Sequence, residues 1–266
     1  MKTHTKRIAA GIVAVLLILA MLLAADAIYG DPVSRAWANS RAIAYAEKLY
    51  PGQTFTVESE DSGSFWTYGT WVQSEQSQDT RFDVTTKFWL FTSDEGGMDG
   101  LSRHEQMVER RWNTAYRMGE EAAAAVEEVL QKELPQYQFA GNYGAEQRSC
   151  YIQLGYTEDS SVMPQEYAEL LPLDAPFDKS LLQKIPTKLS VTGVWPTTPT
   201  QADVDTVLAD LKRVLTAAGY DFAYYDLTLT DATAPSYEEG LDRLAESGDV
   251  AAADIPAAVA TPETAG

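Results

Sequence analysis

An uncharged apolar run of 18 residues, 8–25, follows a head whose charges are Lys2, Lys6 and Arg7. No other feature constrains the chain as strongly. As a helix rising about 1.5 Å per residue, the run measures roughly 27 Å, close to the hydrocarbon thickness of a bilayer. A chain in lipid must satisfy every backbone group internally, so a spanning run must be helical. The pattern predicts a transmembrane anchor over 8–28 in contact with a lipid bilayer, with a cytoplasmic head at 1–7 on the side of the positive charges. The rest of the chain is then exported. The rival is a signal peptide. Ala25-Asp26-Ala27 has the small-x-small form, and cleavage after Ala27 releases the body instead of tethering it. The apolar core of a signal peptide is typically about 7–15 residues, which favours the anchor. Both readings place the body outside the cytoplasm.

The first 25 residues carry three of the 20 Lys+Arg and none of the 39 Asp+Glu. The remaining 241 residues therefore hold 17 basic and 39 acidic groups, a net −22. Such a surface as a whole repels nucleic acid and anionic lipid, so no nucleic-acid partner is expected. It attracts basic peptides and cations, although solubility alone explains an acidic exported protein. Cys150 is the single cysteine, so no intrachain disulfide forms and packing must hold the fold. Alternation puts Cys150 with Ile152, Leu154 and Tyr156 on one strand face, which predicts a buried thiol rather than a reactive one.

Periodicity predicts an α+β chain in two small units, each a helix on an antiparallel sheet. In the first, 31–93, Asp31-Pro32 opens an Ala-rich helix that Pro51-Gly52 stops. Strands follow over 54–58, 65–72 and 81–91, the last with Phe82, Val84, Phe88 and Leu90 on one face. The acidic, Gly-rich stretch 93–100 marks a boundary. The second unit, 101–231, opens on one long helix over 102–134 with a stripe of Val108, Trp112, Ala115, Gly119, Ala122, Val126 and Leu130. Strands over 137–143, 149–156, 188–195 and 222–230 follow, with short turns in a Pro-rich link. Before the last strand, Thr200 and Asp203 form a capping box and Gly219 closes the helix. Residues 232–266 read as a disordered tail, with a short helix allowed over 236–247 and only Ala, Pro and acid with few large apolar groups from 249 onward.

A basic head, one apolar run, Gly30-Asp31-Pro32-Val33-Ser34, an Ala-rich helix and Tyr50-Pro51-Gly52 before three strands resemble the YfjL-like proteins of Gram-positive bacteria over residues 1–92. The helix bearing Arg111-Trp112-Asn113-Thr114 and its following strands are similar to the second domain of that family out to about residue 230. The resemblance implies an anchored two-domain α+β protein. It implies no activity, and no catalytic residue is carried over. The order helix, Tyr-Pro-Gly, meander also looks like PepSY-type modules, which regulate partner proteins outside the cytoplasm.

The chemistry of a site is mostly missing. His104 is the only histidine besides His4. His104-Glu105 begins a zincin pair, but Val108 stands where the second histidine is needed. A metal site of His104, Glu105 and Glu109 is weighed against a solvated first helical turn, and the turn is preferred. A serine hydrolase would need His104 as base, yet there is no Gly-x-Ser-x-Gly elbow, and Cys150 with His104 is equally unsupported. Asp94, Glu95 and Asp99 in one loop, and Glu158-Asp159 in another, lack calcium-loop spacing. No nucleotide motif is present. Trp66, Tyr68, Trp71 and Trp89 offer an aromatic surface for a peptide or glycan, with sheet packing the preferred role. The expectation is no catalytic, cofactor or metal residue and no cofactor. The reading that follows is a non-enzymatic binding or regulatory module of the cell envelope, with an envelope hydrolase or a structural envelope component as alternatives.

Overall fold

The computed structural model describes residues 11–21, 24, 32–61, 66–88, 90–140, 148–157, 162–234, 239 and 242–256. Within the apolar run, the helical stretch described is 11–21. At about 1.5 Å per residue it measures roughly 16 Å, about half a bilayer's hydrocarbon core. No helix among the described residues is long and apolar enough to cross a membrane, which overturns the transmembrane helix expected over 8–28. Ala27 and the expected cap Asp31 lie outside the described residues. The chain forms two compact units, Met1–Glu109 and Arg110–Gly266.

In the first unit, helix α1 (Pro32–Leu49) lies on an antiparallel sheet of β1 (Phe55–Asp61), β2 (Thr67–Ser74), β3 (Arg81–Lys87) and β4 (Phe91–Ser93), in that order. The buried residues of α1 are Ser34, Ala38, Ala42 and Ala46. A spacing of four puts them in one stripe, and their small side chains let the helix backbone come close to the sheet. Ala42 and Ala46 pack with Phe55, Val72, Phe82, Val84 and Val108, while Ile43, Tyr45 and Leu49 flank this core. Gly52 (φ 90°) turns the chain from the helix into β1.

The strand expected over 81–91 is instead a hairpin. Phe88 takes a left-handed backbone (φ 50°), and the Leu90 N–H donates to the Lys87 carbonyl, so β4 returns along β3. Phe82 and Val84 are buried as the alternation predicts, but Phe88 and Leu90 are 51% and 66% exposed. The reversal comes before the alternation can carry them to the core. Phe-Trp-Leu holds none of the residues that usually announce a turn.

The single helix expected over 102–134 is broken. A π-helical turn, Glu105–Glu109, packs in the first unit through Val108, and helix α2 (Trp112–Glu133) begins the second. Arg111 between them has φ 59°, a conformation that no continuous helix allows. The apolar stripe runs through both pieces, so periodicity alone does not reveal the break.

The second unit sets α2 and α3 (Gln201–Ala217) against a sheet of β5 (Gln138–Phe139), β6 (Cys150–Leu154), β7 (Thr187–Trp195), β8 (Tyr224–Asp231), β9 (Ala245–Glu246) and β10 (Val250–Ala251). This sheet is not wholly antiparallel, as was expected. β7 and β8 pair in parallel over 188–195 and 224–231, because α3 carries the chain back to the starting end of β7 before β8 begins. The capping box forms as its residues predict: the Thr200 hydroxyl accepts from the Asp203 N–H and the Asp203 carboxylate accepts from the Thr200 N–H. Val204, Val207, Leu208, Leu211 and Leu215 are buried along one face of α3.

Helix α2 shields the free edge of β6. Glu127 Oε1 accepts from the Ser149 N–H at 2.7 Å, the Ser149 hydroxyl at 3.0 Å and the Cys150 N–H at 3.3 Å. Gly119 lies so close to β6 that a Cβ there would sit 2.3 Å from the Ile152 carbonyl oxygen. An uncovered edge strand is a template for unwanted pairing, and this one is covered by a helix.

The disordered tail expected over 232–266 is overturned for 245–256. β9 and β10 pair antiparallel with β8, and Ile255 joins the core at 3% exposure. Lys212 Nζ donates to the carbonyls of Ala252 (2.7 Å) and Ile255 (3.0 Å). Composition hid this order because edge pairing draws on backbone groups, which Ala and Gly supply as well as any residue. Residues 257–266 lie outside the described residues.

Candidate functional site

The densest polar cluster in the first unit gathers around Asp94, at the end of β4. The sequence suggests a solvated loop acid, yet Asp94 is 4% exposed. Tyr45, reaching across from α1, donates its hydroxyl to Asp94 Oδ1 at 2.7 Å. The His104 N–H donates to Oδ2 at 2.9 Å, and His104 Nδ1 lies 2.5 Å from the same oxygen. The Asp94 carbonyl accepts from the Arg103 N–H at 2.6 Å. Asp94 therefore ties α1, the end of the sheet and the 102–109 turn together.

Ser102 and Glu105 position His104. The Ser102 N–H donates to Glu105 Oε2 (2.7 Å) and the Glu105 N–H to Ser102 Oγ (3.4 Å), a reciprocal capping box at the start of the turn. The pattern Ser-x-x-Glu was the signal in the sequence for this arrangement. Ser102 Oγ also lies 2.9 Å from His104 Nδ1. The imidazole packs among rings, edge-on to Tyr50 at 6.3 Å and tilted against Phe82 at 6.1 Å.

Burial acts to raise the pKa of Asp94. The hydrogen bonds from the His104 N–H, the Tyr45 hydroxyl and the His104 ring outweigh it, and the net shift is downward. Tyr45 moves the other way, to about 12, through burial and its bond to the Asp94 carboxylate. Asp94 is thus held as an anion and Tyr45 as a neutral donor.

Serine, histidine and aspartate do meet here, but in an order unlike a proton relay. A relay needs the carboxylate on one ring nitrogen and the hydroxyl on the other. Asp94 and Ser102 share Nδ1, and Nε2 has Glu109 Oε1 at 3.9 Å. Glu105 turns back onto Ser102, while Glu95 and Asp99 are exposed. Among the described residues no group of three or more His, Cys, Asp or Glu is placed to hold a metal ion. Glu158 and Asp159 lie outside the described residues.

Cys150 belongs to the second unit and His104 to the first. The thiol is 3% exposed, and burial pushes its pKa up to about 12. Cys150 is expected to resist a thiol reagent such as dithionitrobenzoate in the native protein at pH 8 and to react fully in denaturant. Rapid native labelling would place it in a reactive setting.

The aromatic surface divides. Tyr68 is buried under α1, and Trp71 faces the other side of the sheet with the Arg81 guanidinium 5.6 Å from its ring centre. Trp66 is half-buried 6.0 Å from Phe88. Trp89 lies outside the described residues.

The sheet-and-helix order that ends at β4 is where comparison with known proteins succeeds. Residues 5–93 match the family model for the YfjL-like, N-terminal domain. The match stops one residue short of Asp94, so the buried carboxylate and the turn that carries His104 lie beyond the YfjL-like segment. A crystal structure of a DUF5037 family protein from Ruminococcus gnavus ATCC 29149 is similar over 79% of this chain and 82% of that one. Its identity is 12% and its TM-score 0.22, a likeness that carries no argument. No curated protein matches the chain.

Proposed function

We propose that the chain is a non-enzymatic binding or regulatory module of the cell envelope. The observation that supports this is the shared Nδ1 of His104, which carries both Asp94 and Ser102. Such a histidine acts as a staple, fixing the 102–109 turn against the sheet. Among the described residues, its second nitrogen faces Glu109 at 3.9 Å and no nucleophile to activate. The buried, unreactive setting of Cys150 points the same way. A regulatory role of the PepSY kind is one concrete form, and it rests only on the order of helix, turn and antiparallel sheet. An envelope setting rests on the basic head and apolar run of the leader.

The envelope hydrolase is the second reading, because a serine, a histidine and an aspartate do converge. The two separate in one assay. The purified chain is incubated with ester, peptide, glycoside and phosphoester substrates, beside the His104→Ala and Ser102→Ala variants. No turnover above the variants is expected. Turnover that both substitutions abolish, with folding intact by circular dichroism, establishes the hydrolase instead.

A further inference from the structure

One end of the first unit exposes apolar side chains that its core does not use. The β3–β4 turn contributes Phe88, Leu90 and Phe91, which are 51%, 66% and 67% exposed. The start of α1 contributes Val33 and Trp37, at 78% and 56%. Arg41, four residues beyond Trp37 and so on the same helix face, donates to the Leu90 carbonyl at 2.8 Å and to Thr92 Oγ1 at 3.1 Å. That bridge places the helix start beside the turn. Exposed apolar residues scattered singly need no explanation, whereas a gathered patch marks an interaction surface.

Three observations say what covers this patch. The chain enters α1 at this end after the apolar helix 11–21, whose large residues from Ile12 to Met21 are 50–64% exposed. The ten residues between, 22–31, reach at most about 35 Å, so one apolar phase can take up both surfaces. Arg41 and Lys87 flank the turn, a local positive spot in a chain whose net charge of −19 otherwise repels an anionic surface, while Arg35 pairs with Glu60 on β1, the opposite edge of the sheet. Cations beside Trp, Phe and Leu suit an anionic lipid headgroup layer. A second copy of the chain fits less well: β4 has only three residues to offer as an edge, and Arg41 already occupies the Leu90 carbonyl.

We propose that this end of the first unit rests on the headgroup layer of an anionic phospholipid bilayer, with Trp37, Leu90 and Phe91 entering it. The seat needs no membrane-crossing helix and does not depend on the non-enzymatic reading above.

The test uses the full chain carrying Leu90→Cys, labelled with an environment-sensitive fluorophore while buried Cys150 stays unlabelled. Phe91→Cys serves if that variant does not fold. The control is Glu128→Cys, on the exposed face of α2. On vesicles of phosphatidylcholine and phosphatidylglycerol, the label at position 90 is expected to shift to the blue and brighten at least threefold. It should be quenched by headgroup-region spin-labelled lipid, and the label at 128 should not change. Adding Trp37→Ser and Phe91→Ser to Leu90→Cys should return its emission to the aqueous value. An unchanged signal at 90 overturns the proposal. So does an equal change at 128, which indicates general adsorption, or a rise with protein concentration without lipid, which indicates a second copy.

Discussion

Replacing Asp94 with alanine is expected to destabilise the first unit by about 2–3 kcal/mol, the upper part of the range for leaving the partners of a buried polar group unsatisfied. The loss is large because three donors converge on this carboxylate: the Tyr45 hydroxyl, the His104 N–H and His104 Nδ1. Each loses its acceptor at a carboxylate position that is only 4% exposed. Hydrogen exchange read by mass spectrometry should show faster exchange over 32–109 and little change over 110–256. Equal protection of 94–109 in the variant and the wild type would falsify the staple. The same carboxylate gives the unit an acid limit. Its folded pKa lies below the ordinary 3.8, so the unfolded chain binds the proton more readily. The stabilisation is therefore complete above about pH 4 and disappears as the pH falls through the folded value. Asp94→Asn should be less stable than the wild type at pH 6, and the gap should narrow at pH 3.

Gly119→Ala is expected to destabilise the second unit, against the direction that helix propensity gives. In an exposed helix interior, alanine gains about 1 kcal/mol over glycine. Here its Cβ would meet the Ile152 carbonyl oxygen at 2.3 Å. That atom is backbone in β6 and cannot rotate away, so α2 must lift from the sheet. Overpacking of this kind costs roughly 3 kcal/mol, which leaves a net loss of about 2 kcal/mol. Denaturant unfolding followed through the exposure of Cys150, whose thiol reacts only when the second unit opens, measures it directly. A variant more stable than the wild type would show that α2 does not lie against β6 as described.

Elements whose signals are local were legible in the residues. The Thr200–Asp203 box, the stop at Gly219 and the alternation of Cys150, Ile152 and Leu154 each depend on neighbours a few positions away. The mixed α+β class followed from the same patterns. The Asp94 cluster was only half visible. Ser102-x-x-Glu105 is a readable cap, but Tyr45 is 49 residues from Asp94, and no spacing rule links them.

The sequence by itself determined the helix over 201–217 with its cap, the inward faces of that helix and of β6, that a single cysteine leaves the fold to packing, and that the body is strongly acidic. Tertiary structure alone decided where the chain changes direction against its own periodicity: at Phe88, at Arg111 and along 245–256. It also made Asp94 a buried anchor and paired β7 with β8 in parallel. The physical reason is range. Periodicity and caps reflect free energies among residues within a turn or two, whereas edge pairing, burial of a carboxylate and left-handed junctions are stabilised by contacts tens of residues away. Those contacts exist only once the sheets have formed.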